Sequence, residues 1–314
     1  MLHDPSRPAP AADPARDAAQ DPAPGTGLAA DRRLRVRQAL LEVCVLDDVD
    51  LVPAPDGLLL TGPHGPRHLS AQAAAAVVGD RRSDDPDTRP RLRSWLRAHS
   101  AVTPEALRGC LRPLALPRDG ALHPGPAWVR ATVHGGALDV GLGLVGAVPG
   151  EADPVPVWPD LLARLDAEAV AAGQRPLDAG AAWRSAAAHL EAAGRVAAQR
   201  VERELRARVA EHEALQDPDH GPAQAVTVVE PTDGCDALTL LASAPLRRWL
   251  AEADGTGLRV VAVPSRMRGW TDLARIDADF VAAAWAATEP DRRGLSRPAL
   301  VTRDEVALAP RWVR

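Results

Sequence analysis

An apolar seam inside a long helical run constrains this chain more than any other feature. Trp183, Ala187, Leu190, Gly194, Ala197 and Val201 alternate spacings of four and three, and Leu205 and Val209 continue after a slip. Such alternation marks a face that packs on another helix. Its small residues let a partner come close. Glu191, Arg195, Glu202 and Arg206 fall outside the seam and supply a solvated face. The pattern predicts one helix from Asp178 to about Leu215, with a second before it from Asp160 to Ala172. A helical hairpin between these two satisfies the seam. A protein partner or self-association through residues 183–209 satisfies it too. The nearness of the preceding helix favours the hairpin.

At about 150 residues per domain, 314 residues make one or two domains. Residues 1–30 are mostly Pro, Ala and Asp and cannot bury enough surface to offset their ordering entropy, so a disordered tail is expected there. The remainder divides into 31–159, an α+β part with glycine-rich strands; 160–216, the hairpin; and 224–314, a small α/β unit. These parts could also form one globule. The expected class is mixed α+β.

Leu34, Gln38, Leu41 and Val45 predict a first helix. Leu51 and Leu58–Leu60 flank the turn-rich Pro53–Gly57 and predict a hairpin. Ser70 suits a helix N-cap, and so does Thr103 ahead of Pro104. Leu92, Trp95 and Leu96 share one face of a helix over 91–99. Strands are expected at 128–133 and 137–140 around His134-Gly135-Gly136. In the last part, 225–229, 238–241, 258–263, 296–302 and 305–308 read as strands, and 245–253 and 277–288 as helices. The order strand 238–241, helix 245–253, strand 258–263 predicts a parallel, right-handed crossover.

Missing residue types exclude whole chemistries. All 37 basic residues are Arg, and the chain has no Lys, Asn or Tyr. A P-loop lysine, a pyridoxal Schiff base and a Cys-His-Asn arrangement are therefore absent. The same bias fits a GC-rich bacterial genome. A net charge of −5 speaks against nucleic acid as the main partner. Arg89, Arg91, Arg93 and Arg97 form a cluster, but acids surround it. Cys44, Cys110 and Cys235 are too few and too scattered for a disulfide framework. No run reaches 18 apolar residues and the N-terminus lacks an apolar signal core, so a cytoplasmic protein without membrane contact is expected.

Several motifs fail on physical grounds. Gly141, Gly143 and Gly146 match GxGxxG, but no helix opens at the third glycine to meet a phosphate. Ser243 stands between Leu241 and Pro245, too bulky for a nucleophile elbow. Cys235 lies beside Asp233 and Asp236, which oppose a thiolate. Gly65 and Pro66 forbid the helix that would pair His64 with His68, and His123 reads as a turn residue. Asp277 and Asp279 suit a helix start better than a metal. No cofactor and no metal is expected.

The best candidate site follows the strand ending at Val263. Ligands of open α/β sheets gather at such strand ends. Arg266 and Arg268 could grip a carboxylate or phosphate against the indole of Trp270. Arg275 could join them, and Asp233, Cys235 and Asp236 could line the same edge. With every catalytic motif failing, the leading expectation is a non-catalytic regulatory or scaffolding protein acting through protein contacts. The alternative is a binder of a small anionic metabolite, or an enzyme acting on one, through the Arg/Trp loop. Acid–base groups of such an enzyme would come from His, Asp, Glu or Cys.

Overall fold

The computed structural model describes residues 25–47, 49–54, 57–79, 85–120, 123–125, 128–215, 226–272 and 294–310. They form a mixed α+β fold with three antiparallel sheets. Residues 1–24 of the expected tail lie outside the described residues. So do Arg275, Asp277, Asp279 and the helix expected over 277–288.

The first region opens with α1 (Gly25–Leu46). The sheet β1 (Leu51–Ala54), β2 (Gly57–Gly62) and β3 (Gly65–Ser70) follows, then α2 (Ala71–Val78), α3 (Thr88–Ala101) and α4 (Pro104–Cys110). Because α1 starts at Gly25, the expected tail to residue 30 overlaps its first turns. Val36, Leu40 and Val43 of α1 are buried, whereas Leu34, Leu41 and Val45 are exposed. The helix forms where its spacing predicts but buries another face, because apolar residues recur on two of its sides. Ser70 caps α2 by accepting the Ala73 N–H at 2.9 Å, and Thr103 caps α4 through Ala106 at 3.3 Å. The turn at Gly65, with φ +93°, leads into β3, a third strand the sequence did not announce.

The second sheet holds β4 (Leu111–Pro117), β5 (Arg130–His134), β6 (Leu138–Leu144) and β7 (Val155–Pro156), with β6 pairing the other three. Gly141 and Gly143 lie inside β6. A Cβ on Gly141 would stand 2.4 Å from the Val129 carbonyl, and one on Gly143 2.7 Å from Leu114 Cβ. The GxGxxG pattern therefore serves close strand packing.

Next come α5 (Pro159–Ala171) and α6 (Ala179–Leu215), 37 residues long. The last region holds β8 (Val226–Val229), α7 (Ala237–Leu240), α8 (Ala244–Glu252), β9 (Leu258–Ser265), β10 (Arg268–Asp272), β11 (Ala299–Thr302) and β12 (Val306–Leu308). The seam of α6 packs chiefly on α8, β4, β8 and α7, while α5 packs on α4. The expected hairpin partner is thus replaced by α8, from later in the chain. Leu190, Gly194, Ala197 and Val201 are buried, so this face is occupied within the chain. Gly194 is the point of closest approach, for a Cβ there would lie 2.0 Å from Ser243 Oγ.

The parallel crossover does not form. Leu238–Leu240 belong to α7, not to a strand, and the sheet runs β12-β11-β9-β10-β8 with every neighbour antiparallel. A short, mostly apolar run such as Leu238-Thr239-Leu240-Leu241 fits a buried helical turn as well as a strand. Asp236 decides between them by accepting the Thr239 N–H at 2.7 Å as an N-cap.

Two large cores result. The first gathers α1–α3, β2, the start of α5 and Ala186 of α6. The second joins α6–α8 to one face of the five-stranded sheet. Trp183 packs against both.

Candidate functional site

The expected Arg/Trp loop is a two-residue turn between β9 and β10, with Arg268 opposite Ser265. The turn separates the two guanidiniums. Arg268 is exposed and lies 5.6 Å from the centre of the Trp270 ring, a cation–π contact. Trp270 packs with Val260, Ala262 and Leu300. Arg266 turns inward and is 1% exposed. It does not share a site with Arg268 and Trp270.

Arg266 meets Asp236 instead. Its Nε donates to Asp236 Oδ2 at 2.9 Å and its Nη2 donates to the same oxygen. Its carbonyl accepts the Leu238 N–H at 3.1 Å. One carboxylate therefore caps α7 and anchors the β9–β10 turn. Of the secondary candidates, Asp236 alone joins Arg266. Cys235 is buried, and burial first, then the Asp236 charge, pushes its thiol up to about 12. Asp233 holds a left-handed backbone, φ +50°, and its carbonyl accepts from His189 Nε2 at 2.6 Å.

The wall that Arg266 reaches is a cavity of about 110 Å³ at the junction of three parts of the chain. Arg91, Arg93 and Ser94 come from α3, His123 from the β4–β5 connection, and Trp158 from the lead into α5. Helical spacing puts Arg91 and Ser94 on one side of α3, away from Leu92 and Leu96. One hydrogen bond and one carboxylate contact fix the imidazole of His123. Nδ1 accepts the Gly125 N–H at 2.9 Å, which leaves the neutral ring's proton on Nε2, 3.0 Å from Asp139 Oδ2. The ring also stands edge-on to Trp128. His123 is thus a buried wall residue as well as a turn residue.

Donors dominate the polar groups of this wall, whose remainder is largely proline with Leu116 and Val155. Arg266 spends Nε and Nη2 on Asp236, and its Nη1 has no protein partner among the described residues. Trp158 is buried with its Nε1–H unpaired. A buried donor without an acceptor costs about 1–3 kcal/mol, so such groups call for an explanation. Arg93 carries a further charge, held by Asp47 at 2.7 Å. Glu151 supplies the carboxylate of the wall and lies 3.3 Å from Arg97. The arrangement offers hydrogen bonds to an acceptor-rich guest and excludes bulk. Among the described residues no group of three His, Cys, Asp or Glu side chains is placed to hold a metal ion. No described helix is long and apolar enough to cross a membrane.

Sequence reasoning found Arg266 and Asp236 but missed Trp158 and the role of His123. Arg91 and Arg93 were visible only as members of an arginine cluster. Their i, i+2 spacing on a helix was the available signal that the two point differently. No protein-family model, no curated protein and no solved structure matches this chain.

Proposed function

We propose that this chain binds a small anionic metabolite, a carboxylate or a phosphate, in the cavity beside Arg266. One observation carries the reading: Arg266 and Trp158 line the same cavity, and among the described residues Arg266 Nη1 and the buried Trp158 Nε1 find no protein acceptor. The Arg266–Asp236 pair pre-orders its guanidinium, which reduces the entropy lost on binding. A cavity of about 110 Å³ suits a compact ligand.

The test is a thermal-shift series on the full chain with phosphate, acetate and malonate. An anion at about 100 times its dissociation constant adds roughly 2.7 kcal/mol of stability. Ser94→Glu places a negative charge on the wall and leaves the Arg266–Asp236 pair intact. The expected result is a shift in the native chain that this variant loses. A native chain that ignores all three anions, or a variant that keeps the shift, overturns the reading.

A second reading, a non-catalytic regulatory or scaffolding protein, has its own support. Leu34, Leu41, Val45 and Leu46 leave an apolar stripe of α1 exposed. It predicts self-association or a partner complex that Leu34→Ser with Val45→Ser weakens. A strict monomer in sedimentation, with no partner retained, counts against it.

A further inference from the structure

We infer a second ligand site, for a small amphiphile with one anionic head and an apolar body, in the cleft between α4, α5 and the first turns of α6. The cleft holds about 420 Å³, inside the roughly 300–1,000 Å³ range of small-molecule pockets. It is separate from the Arg266 cavity and shares no wall residue with it.

The lining is divided by chemistry. Leu107, Leu111, Leu162, Ala182 and Ala186 supply an apolar floor. Arg108, Arg112, Arg175 and His189 supply a basic rim. Arg108 is tied to Gln174 Oε1 and to the Arg175 carbonyl, so it shapes the rim. Arg112 donates through Nη1 to the Gly109 and Leu111 carbonyls, which fixes its head and leaves Nε and Nη2 without protein partners among the described residues. Arg175 is exposed, and its guanidinium has no protein partner among the described residues. His189 spends Nε2 on the Asp233 carbonyl.

Two acids stand close, Asp178 in the lining itself and Glu105 beside it, and both are engaged. Asp178 accepts the Gly180 N–H at 2.8 Å and stands 3.6 Å from Arg184. Glu105 accepts from Gln174 Nε2. Arg112 and Arg175 therefore face a guest with donors that no carboxylate among the described residues occupies. An apolar floor under two such guanidiniums selects an alkyl or aryl body that ends in a carboxylate, sulfonate or phosphate. A body of that kind removes apolar surface from water while its head stays at the rim.

The experiment is calorimetric titration of the full chain with octanoate and, separately, with 1-octanol. Octanoate is expected to bind at least tenfold more tightly than the alcohol. Arg112→Gln with Arg175→Gln is expected to lower octanoate affinity at least tenfold and leave the alcohol unchanged. Ser185→Trp fills the cleft from an exposed position of α6 without changing charge, and is expected to abolish binding of both while the melting temperature holds. This variant decides the matter if the arginine pair proves necessary for folding. Octanoate that fails to bind, binds no better than octanol, or binds unchanged in either variant overturns the proposal. Ser94→Glu, which tests the Arg266 cavity, leaves octanoate binding intact, so the two readings fail separately.

Discussion

Each of the two cores sets a carboxylate against a cation-forming partner, and the two pairs behave differently. Beside the second core, Asp236 is 5% exposed and faces the buried guanidinium of Arg266. Beside the first, Asp160 is 31% exposed and faces the buried His99 at 2.9 Å, with Trp95 Nε1 on the same oxygen at 3.0 Å. Burial lowers the pKa of His99 and outweighs the pull of Asp160, while the Arg164 and Arg67 charges lower it further. For Asp160, burial pushes up, yet the His99 and Trp95 hydrogen bonds prevail and hold its carboxyl below the usual range. One pair is a buried ion pair that also caps a helix. The other works with a neutral ring and therefore senses pH.

The largest expected effect comes from breaking the Arg266–Asp236 pair. Asp236→Ala leaves a buried guanidinium uncompensated and α7 uncapped, a loss of about 3–5 kcal/mol with roughly 1 more for the cap. Urea denaturation reads it directly. A loss below about 1 kcal/mol would mean that Arg266 finds another acceptor. Next in size is Gly194→Ala in the same core. Its Cβ would stand 2.0 Å from Ser243 Oγ, and overpacking of this kind costs about 1–3 kcal/mol. Adding Ser243→Gly should restore most of that loss. If it does not, the contact between α6 and α8 lies elsewhere.

The smallest effect belongs to the neutral pair and appears as a slope. Below about pH 6.5 the unfolded chain protonates His99, while burial holds the ring neutral to a lower pH in the folded chain. The unfolded state then binds more protons, so stability falls as pH falls from 7 toward 5, by at most about 1.4 kcal/mol per pH unit. Asp160 acts in the same direction only below about pH 4, where the unfolded carboxylate takes its proton first. His99→Gln should flatten the part of the melting-temperature profile between pH 7 and 5. The same slope surviving in that variant would assign it to another group.

Local chemistry made much of the fold legible. Ser70 and Thr103 cap the helices they precede, and Leu92, Trp95 and Leu96 are fully buried together. His134-Gly135-Gly136 forms the expected turn between β5 and β6, with φ +54° and +73° at the glycines. What failed depended on distant partners. The seam of α6 revealed that a helix would pack there, but not that α8 would supply it. The stripe at Leu34, Leu41 and Val45 fitted helical spacing as well as the face that is buried. At the site, Arg266 and Asp236 were both visible as candidates, 30 positions apart, yet no local pattern joins them. Trp158 and His123 reach the cavity through chain crossings that no spacing in the sequence encodes.

At 1.5 Å per residue α6 is a rod about 55 Å long. Ala186 lies in one core, Leu190 to Val201 in the other, and Trp183 touches both. Such a rod makes the two cores answerable to each other. Neither can melt without stripping the helix that holds its neighbour, so unfolding takes the form of a single cooperative transition. Tryptophan fluorescence, which reports on the first core through Trp95 and Trp158 and on the second through Trp249, and far-ultraviolet dichroism, which averages the whole chain, should trace the same curve in urea. Two separated midpoints would mean that the rod can break between them.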